Sequence, residues 1–457
     1  MKKKVLFITP SIPPYAGSGV YRNIRFIRHL QHFGWETTIL TIEKTSIRKN
    51  LPLDPELLKR LPASVRVERT YVLRPMEILL RFRERFRAGP HNQGKSKETG
   101  LAPKRMTSRR VSGMQRFKDF LSTLLLFPDA EIGWLPWAIR RGLKIIKQRK
   151  MTVLYTSGPP HSCHLAGWAL KRLTGLPWVA DFRDPWTRQA WIDEATKRTW
   201  AHRKKVLMEC AVVKNADRVI LNTSEMQDDF SQYYSGLSSE KFVAIYNGYD
   251  PEDAAPLPEK EMSNGIFTVT HAGSLYKKRT PIGLLRAVSE LIREGKVDPE
   301  MIRVRLIGRC DIEGIQAEIK KLGLESCVAL MGWVTHQESL DAIAESDLLL
   351  LIQPGTALQI PGKIFEYIML KKKILALTDR GATENIVRDY HLGDVAEPMD
   401  VPSIKKVMLR FYEERFDSIP LPTDYKRALE TFHAHALTMA LDKTLSAVMR
   451  EKKRVTF

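Results

Sequence analysis

The sequence predicts an α/β protein made of two doubly wound domains, each with a parallel sheet covered by helices on both faces. Short apolar strands alternate with amphipathic helices, which is the pattern of parallel sheets. The alternation runs twice, because a turn and a Pro/acid-rich connector at 247–258 interrupt it. The length of 457 residues suits two or three domains, so we expect a ligand crevice between two halves.

The first strand–helix–strand unit contains a glycine loop. Val5–Thr9 is an apolar strand, residues 10–19 form a Pro/Gly-rich loop, and residues 20–33 place apolar side chains at helical spacing. Gly34 ends this helix before a second strand at 37–42.

The later elements repeat the alternation. In the first half we predict strands at 152–156, 178–182 and 218–221 and helices at 162–173 and 196–215. In the second half we predict strands at 267–272, 303–307, 328–331, 348–352 and 374–377 and helices at 282–294, 314–322, 337–345, 363–370 and 384–390. A final long helix is predicted at 425–453, so the expected domains are 1–240 and 241–424, followed by the helical segment 425–457.

The protein is strongly basic, and its charge is unevenly distributed. It has 73 Lys and Arg against 52 Asp and Glu, a net charge of +21, and 43% of its residues are hydrophobic, which excludes a wholly disordered chain. About half of the excess lies between Arg74 and Lys118, where thirteen basic residues stand among three acidic ones. Such a charge favours an anionic partner: a membrane, a nucleic acid or a phosphorylated substrate.

The sequence features that report on the cellular compartment favour a location in the reducing cytoplasm. No apolar run approaches the roughly 18–20 residues that span a bilayer. The apolar stretch at the N-terminus stops at Pro10 without a signal-peptide cleavage site. The four cysteines have neither metal-ligand nor disulfide spacing.

Residues 75–127 form a basic insert with two amphipathic ends. Residues 75–88 and 114–127 each place apolar and aromatic side chains beside basic ones, which is typical of helices that lie in a membrane interface. The stretch 91–113 is rich in Gly, Ser, Lys and Arg and predicts a loop. The insert is expected either to dock on an anionic membrane surface or to pack its apolar sides on the first domain.

The glycine loop is a candidate anion site. Gly17 and Gly19 lie where backbone amides at a helix start attract phosphate. The dinucleotide fingerprint GxGxxG is absent, because position 22 is Arg22. The two glycines therefore either bind an anion or only form the turn.

Residues 360–367 are the most distinctive motif. Pro361 and Gly362 suit a helix start. Lys363 and Glu366 share one helical face near the positive end of the helix dipole. Lys363 is placed to bind phosphate oxygens and Glu366 to bind a ribose diol, and the alternative is a surface ion pair.

Two charged clusters follow strands at the expected crevice. Lys277, Lys278 and Arg279 follow the first strand of the second half, where they either bind a diphosphate or form a solvated turn. Arg183 and Asp184 directly follow the strand at 178–182, where they either face the crevice or belong to a structural Asp–Arg pair.

Together these motifs resemble the family 4 retaining glycosyltransferases of the GT-B fold. The matching runs, in family order over nearly the whole chain, are the opening strand and glycine loop, DFRDPW at 181–186, NGYD at 247–250, HAGSL at 271–275, LIGR at 306–309 and PGKIFEY at 361–367. The resemblance implies two Rossmann-like domains, with an acceptor held mainly by the first and a nucleotide-sugar donor mainly by the second. It also implies a C-terminal helix that crosses back to the first domain.

The resemblance guides the assignment of site residues. Candidate catalytic positions are Asp184, Arg183, Lys363 and Arg279, and candidate donor-binding positions are Gly17, Gly19, Lys278, Arg309, Gly362 and Glu366. The chain departs from the family at Leu358, where the first of two glutamates would stand, and at Ser274, where Arg279 would substitute for a frequent arginine. The family's frequent first-domain histidine falls at about Arg183, and His161 is either a further site residue or a surface histidine.

The implied activity is retaining sugar transfer from a nucleotide diphosphate to a hydroxyl acceptor, expected to be a lipid-linked or cell-surface saccharide precursor at the inner face of the membrane. The leaving phosphate would accept the hydroxyl proton, so no protein nucleophile and no cofactor are expected. No metal ligand is expected either, since the sequence has no D-x-D pair.

Two other functions stay open. A nucleotide-sugar epimerase on the same architecture would need acid/base residues around the sugar and no acceptor. A nucleic-acid binder would use the net positive charge, but we expect no nucleic acid, because the basic segment lacks interleaved stacking aromatics and any recognised motif.

Overall fold

The computed structural model describes residues 2–48, 51–74, 127–253, 265–416 and 421–455. The basic insert predicted at 75–127 therefore lies outside the described residues, apart from Phe127. Within the described ranges, no helix combines the length and the apolar character that crossing a membrane would require.

The first domain is built on a parallel sheet, in which the described residues form seven strands in the order β3-β2-β1-β4-β5-β6-β7. These strands are β1 (Lys3–Ile8), β2 (Trp35–Ile42), β3 (Arg66–Thr70), β4 (Val153–Gly158), β5 (Trp178–Phe182), β6 (Arg218–Leu221) and β7 (Phe242–Ala244). The helices around it are α1 (Ser18–Leu30), α2 (Leu135–Arg149), α3 (Ser162–Thr174), α4 (Glu194–Lys197), α5 (Trp200–Asn215) and α6 (Ser224–Tyr233). Strands β4 and β5 are buried along their whole length, as expected for a sheet covered on both faces.

The second domain repeats this plan with six described strands in the order β10-β9-β8-β11-β12-β13, all paired in parallel. They are β8 (Phe267–Ala272), β9 (Ile302–Ile307), β10 (Val328–Gly332), β11 (Leu348–Gln353), β12 (Lys373–Thr378) and β13 (Gly393–Ala396). The remaining helices are α7 (Ile282–Arg293), α8 (Ile315–Lys321), α9 (His336–Glu345), α10 (Lys363–Met369), α11 (Ala382–Asp389), α12 (Val401–Glu413), α13 (Thr423–Thr431) and α14 (Ala434–Val455).

These two sheets confirm the predicted fold class. Strand order reverses between β1 and β4 in the first sheet and between β8 and β11 in the second. Ligands of open α/β sheets bind beyond the carboxyl ends of strands at such reversals. In the cleft between the domains, the loops after β8 and β11 line the second-domain side, and the loops after β5 and β6 together with α1 line the first-domain side.

The chain crosses between the domains twice, and the two crossings pair with each other. The Tyr249 amide donates to the Phe432 carbonyl at 2.9 Å, and the Ala434 amide donates to the Tyr249 carbonyl at 2.8 Å. Gly248 has φ +68°, and a Cβ there would lie 2.1 Å from Leu437 Cδ1, so this close approach requires glycine.

The predicted final helix is two helices separated at this second crossing. Helix α13 buries Tyr425 and Ala428 in the core of the second domain. Helix α14 places Leu441 and Leu445 in the first-domain cluster that contains β1 and α1, so the last helix does cross back. The break occurs because Phe432 and Ala434 direct backbone groups to Tyr249.

The first domain extends beyond the boundary predicted at residue 240. Strand β7 pairs with β6 and completes the first sheet, so the chain leaves this domain after Ala244. A strand of three residues is too short to show a periodic pattern in sequence.

Candidate active site

A cavity of about 890 Å³ opens between the two domains. The predicted site residues that line it are Arg183, Asp184, Lys278, Arg279, Gly362, Lys363 and Glu366. Gly17, Gly19 and Arg309 are not among its lining residues. Arg309 instead pairs with Asp311 at 2.7 Å on the surface, so donor binding by these three remains a prediction without support from the cleft.

The start of α10 brings Lys363 and Glu366 to one wall of the cleft. Their side chains form an ion pair with Nζ and Oε2 2.7 Å apart, and they are 31% and 17% exposed. The opposite face of the helix is buried through Ile364 and Phe365, so the pair is held toward the cavity. The ion pair that the sequence offered as the alternative does form, but it lies in the cleft, where the predicted phosphate and ribose contacts would also be made.

The loop after β8 adds the basic turn to the same wall. Arg279 donates a hydrogen bond to Gln353 Oε1. Gln353 ends β11, is only 5% exposed, and donates to Thr356 Oγ1 at 2.6 Å. A buried amide at the end of a core strand thus orients the Arg279 guanidinium, whereas Lys278 is exposed at the rim.

Sequence reasoning missed a buried ion pair beneath the opposite wall. Arg22 Nε and Nη2 donate to the two carboxylate oxygens of Asp181 at 3.1 and 2.9 Å. Tyr155 Oη and Ser157 Oγ also donate to Asp181, at 2.7 and 3.0 Å. Burial opposes the charged carboxylate, but the Arg22 charge and the hydrogen bonds from Arg22 and Tyr155 hold the Asp181 pKa below its usual range.

The same arginine connects three segments of the first domain. Arg22 lies on α1, Asp181 ends β5, and the Arg22 guanidinium also donates to the carbonyls of Ile245 and Tyr246 near the first crossing. The residue that excluded a dinucleotide fingerprint therefore joins the glycine-loop helix to the sheet and to the linker. In the sequence, Arg22 was noted only because it stands where the GxGxxG fingerprint needs a glycine.

Arg183 and Asp184 follow Asp181 on the first-domain wall. Arg183 is 7% exposed and donates to Ser11 Oγ at 3.3 Å and to the Pro159 carbonyl. A Cβ at Gly19 would lie 1.2 Å from Arg183 Nη1, so this glycine makes room for the guanidinium. The predicted structural Asp–Arg pair does exist, but it is formed by Asp181 and Arg22.

Leu358, which stands where the resemblance would place the first glutamate, makes contacts with the first domain. Leu358 packs against the hydrophobic core of the first domain, and its carbonyl accepts a hydrogen bond from Thr223 Oγ1 at 2.8 Å. The next residue, Gln359, donates from Nε2 to Asp184 Oδ1 at 2.5 Å. The loop between β11 and α10 therefore joins the two domains, and Asp184 receives its partner from the second domain.

His161 and His164 are two buried histidines near the first-domain wall of the cleft. His161 is 6% exposed and stacks on Trp186 at 4.6 Å, so the surface-histidine alternative is wrong. Burial and nearby cations keep the His161 pKa well below its usual range. Burial lowers the pKa of His164 to about 3, so both rings are neutral at pH 7.

One aromatic contact also spans the cleft. Tyr21 of α1 and His336 of α9 lie with ring centroids 5.6 Å apart, and both line the cavity. Neither stood out in the sequence, because their proximity depends on how the domains are arranged.

Two Rossmann-like domains that face each other across a cleft make up the GT-B fold. Residues 109–253 match the family model described as Glycosyltransferase Family 4, which confirms the resemblance predicted from the motifs.

Solved structures share this fold over nearly the whole chain. Sucrose-phosphate synthase from Thermosynechococcus elongatus is 14% identical, with 99% of this chain and 100% of that chain covered at a TM-score of 0.64. Anabaena HepE in complex with UDP and glucose is 16% identical, with 98% and 100% covered at 0.56. WaaG, a glycosyltransferase involved in lipopolysaccharide biosynthesis, is 13% identical, with 97% and 99% covered at 0.55. A comparison with curated proteins found no match.

Proposed function

We propose that this protein is a retaining glycosyltransferase that moves a sugar from a nucleotide diphosphate to a hydroxyl acceptor. The observation that carries the proposal is the convergence of Lys278, Arg279, Lys363 and Glu366 on one wall of the interdomain cleft. Cations placed beside a carboxylate suit a diphosphate and a ribose diol. HepE, which shares the fold, has been solved with UDP-glucose.

In this mechanism the bond between the sugar anomeric carbon and the diphosphate oxygen breaks, and the bond to the acceptor oxygen forms on the same face. The acceptor proton passes to the leaving phosphate oxygen. Lys363 and Arg279 stabilise the charge that develops on the diphosphate. Asp184, held by Gln359 across the cleft, positions the acceptor or the sugar.

A donor screen tests the proposal. The purified chain is incubated with nucleotide-diphosphate sugars in excess chelator, and we expect one donor to be hydrolysed slowly, because no metal takes part in the proposed chemistry. Loss of activity that magnesium or manganese restores would contradict the metal-free mechanism. An isomerised sugar nucleotide would instead favour the epimerase, and filter retention of nucleic acid at physiological salt would favour the nucleic-acid binder.

Replacing Lys363 or Arg279 with alanine is expected to lower turnover by roughly tenfold or more, because each removes a positive charge from the departing diphosphate. Acceptor KM should change much less. Steady-state kinetics with both substrates measures kcat and the acceptor KM separately. A variant with a raised acceptor KM and an unchanged kcat would reassign the two residues to acceptor binding.

We further propose that the acceptor is lipid-linked and that the protein acts at an anionic membrane surface on the cytoplasmic side. The support is the composition of 75–127, whose cations would each contribute roughly 1 kcal/mol near an anionic leaflet. Sedimentation with vesicles should show binding that requires anionic lipid, falls with salt and is lost when the Arg and Lys of this insert are neutralised. Equal binding to neutral vesicles would contradict it.

A further inference from the structure

Three arginines of the first domain line the cleft, and two of them have carboxylate partners. Arg22 is bound to Asp181, as described above. Arg25 Nε lies 2.8 Å from Asp253 Oδ2 in the segment that follows the first crossing. Their charges are therefore compensated within the protein.

The third arginine is different. Arg183 is 7% exposed, and among the described residues it has no acidic group within ion-pair distance; its two acceptors are a hydroxyl and a carbonyl. Its Nε has no hydrogen-bond partner among the described residues. The Arg183 charge does act on buried Asp181, but that carboxylate is already paired with Arg22, so two buried guanidiniums share one carboxylate. A guanidinium stays charged in proteins, and an excess of buried positive charge is costly. Such a group indicates that a ligand supplies the negative charge.

The surroundings of Arg183 reinforce its positive potential. Helix α1 begins beside it, at Gly17, without a side-chain cap and with no acidic residue in its first turn. Gly19 allows the guanidinium to lie against this helix start, where the helix dipole is positive. The helix dipole at this position therefore disfavours the Arg183 cation and favours a bound anion.

A second buried polar group faces the same cavity. Asn222 follows β6, is 5% exposed, and lines the cleft on the first-domain side with Arg183. Its Oδ1 has no hydrogen-bond partner among the described residues. An unpartnered amide oxygen is placed to accept a hydrogen bond from a ligand hydroxyl.

We propose that Arg183, with the start of α1 beside it, binds one oxyanion of the acceptor, a phosphate or carboxylate group, while Asn222 accepts a hydrogen bond from an acceptor hydroxyl. The acceptor is thus an anionic saccharide or saccharide phosphate, which rests on the proposed glycosyl transfer. This oxyanion site is separate from Lys278, Arg279 and Lys363, which face the donor diphosphate from the second domain. The anion affinity predicted for Gly17 and Gly19 then belongs to the acceptor.

Titration of the full chain with inorganic phosphate tests the site without requiring catalysis. Arg183→Gln should weaken phosphate binding by roughly tenfold or more, and Arg183→Lys should weaken it less, since lysine keeps the charge but loses the two-pronged geometry. Arg172→Gln is the matched control, because Arg172 is an exposed arginine on α3, and it should leave the affinity unchanged.

A second arm identifies the source of the oxyanion. With UDP present at saturation, phosphate should still bind with nearly unchanged affinity if the site serves the acceptor. Competition between UDP and phosphate would overturn the proposal and assign Arg183 to the donor. Failure of the transfer assay with retained phosphate binding would reject the proposed function alone.

Thermal unfolding separates a ligand site from a structural role. Phosphate should raise the thermal midpoint of the wild type and of Arg183→Lys, but not that of Arg183→Gln. Without phosphate, Arg183→Gln should change the thermal midpoint little, because the loss of the hydrogen bonds to Ser11 and Pro159 is offset by the removal of an excess buried charge. A lowered midpoint together with unchanged phosphate affinity would make Arg183 a structural residue and overturn the proposal.

Discussion

Asp181→Asn is expected to destabilise the first domain by roughly 3–5 kcal/mol. The substitution leaves Arg22 charged and 1% exposed without its carboxylate, and it weakens the hydrogen bonds that Tyr155 and Ser157 donate. The Arg22 guanidinium would then have only neutral acceptors: the carbonyls of Ile245 and Tyr246, Asn247 Oδ1 and the amide of the new side chain. Chemical denaturation of wild type and variant, followed by a first-domain probe, measures the difference.

An exposed ion pair provides the control for this experiment. Glu56 and Lys59 form an i,i+3 pair whose side chains are 71% and 75% exposed. Glu56→Gln should lower the free energy of unfolding by less than about 1 kcal/mol, because solvent screens the charges. Combining Arg22→Met with Asp181→Asn should recover part of the loss, since it removes the unpaired charge. A similar small cost for Asp181→Asn and Glu56→Gln would contradict the importance of the buried pair.

Glu366→Ala is expected to weaken donor binding by roughly tenfold or more while the protein stays folded, because losing a bidentate contact to a ribose diol costs about 1–3 kcal/mol. The ion pair with Lys363 is also lost, but that side chain is partly exposed and can be solvated. Donor affinity measured by calorimetry, with far-UV circular dichroism as a folding check, tests this.

The matched control lies on the neighbouring helix α11. Glu384 pairs with Arg388 at 2.8 Å, and its side chain is 19% exposed, close to the 17% of Glu366. It does not line the cleft. Glu384→Ala should therefore leave donor affinity unchanged, and equal effects of the two substitutions would reduce Lys363 and Glu366 to a structural ion pair.

Long or strongly apolar elements were predictable from local pattern. Strands β5 and β8 have the predicted bounds, because each is mostly apolar or β-branched and lies between clear turns. Strand β3 was missed because it is partly exposed and carries two arginines and a glutamate. Helix α2 was missed although Ile139, Leu143 and Ile146 recur at helical spacing and pack on the first-domain core.

The candidate site was predictable where its residues follow strands directly. Arg279 lies in the loop after β8, and Lys363 and Glu366 lie on the first turn of the helix that follows the loop after β11. Any parallel sheet brings the segments that follow its strands to one edge. The roles of Leu358 and Gln359 were not predictable, since both depend on contacts with the first domain. The same holds for Tyr21 and His336.

The sequence by itself determined the two doubly wound domains, because hydrophobic period and turn residues act over a few neighbouring positions. Tertiary structure alone decided that Arg22 pairs with Asp181, 159 positions away, which leaves Arg183 without a carboxylate. It also decided that the final helix breaks where Tyr249 pairs with the chain beside His433. These outcomes depend on which buried charges and backbone groups meet in space, and no local pattern encodes that choice.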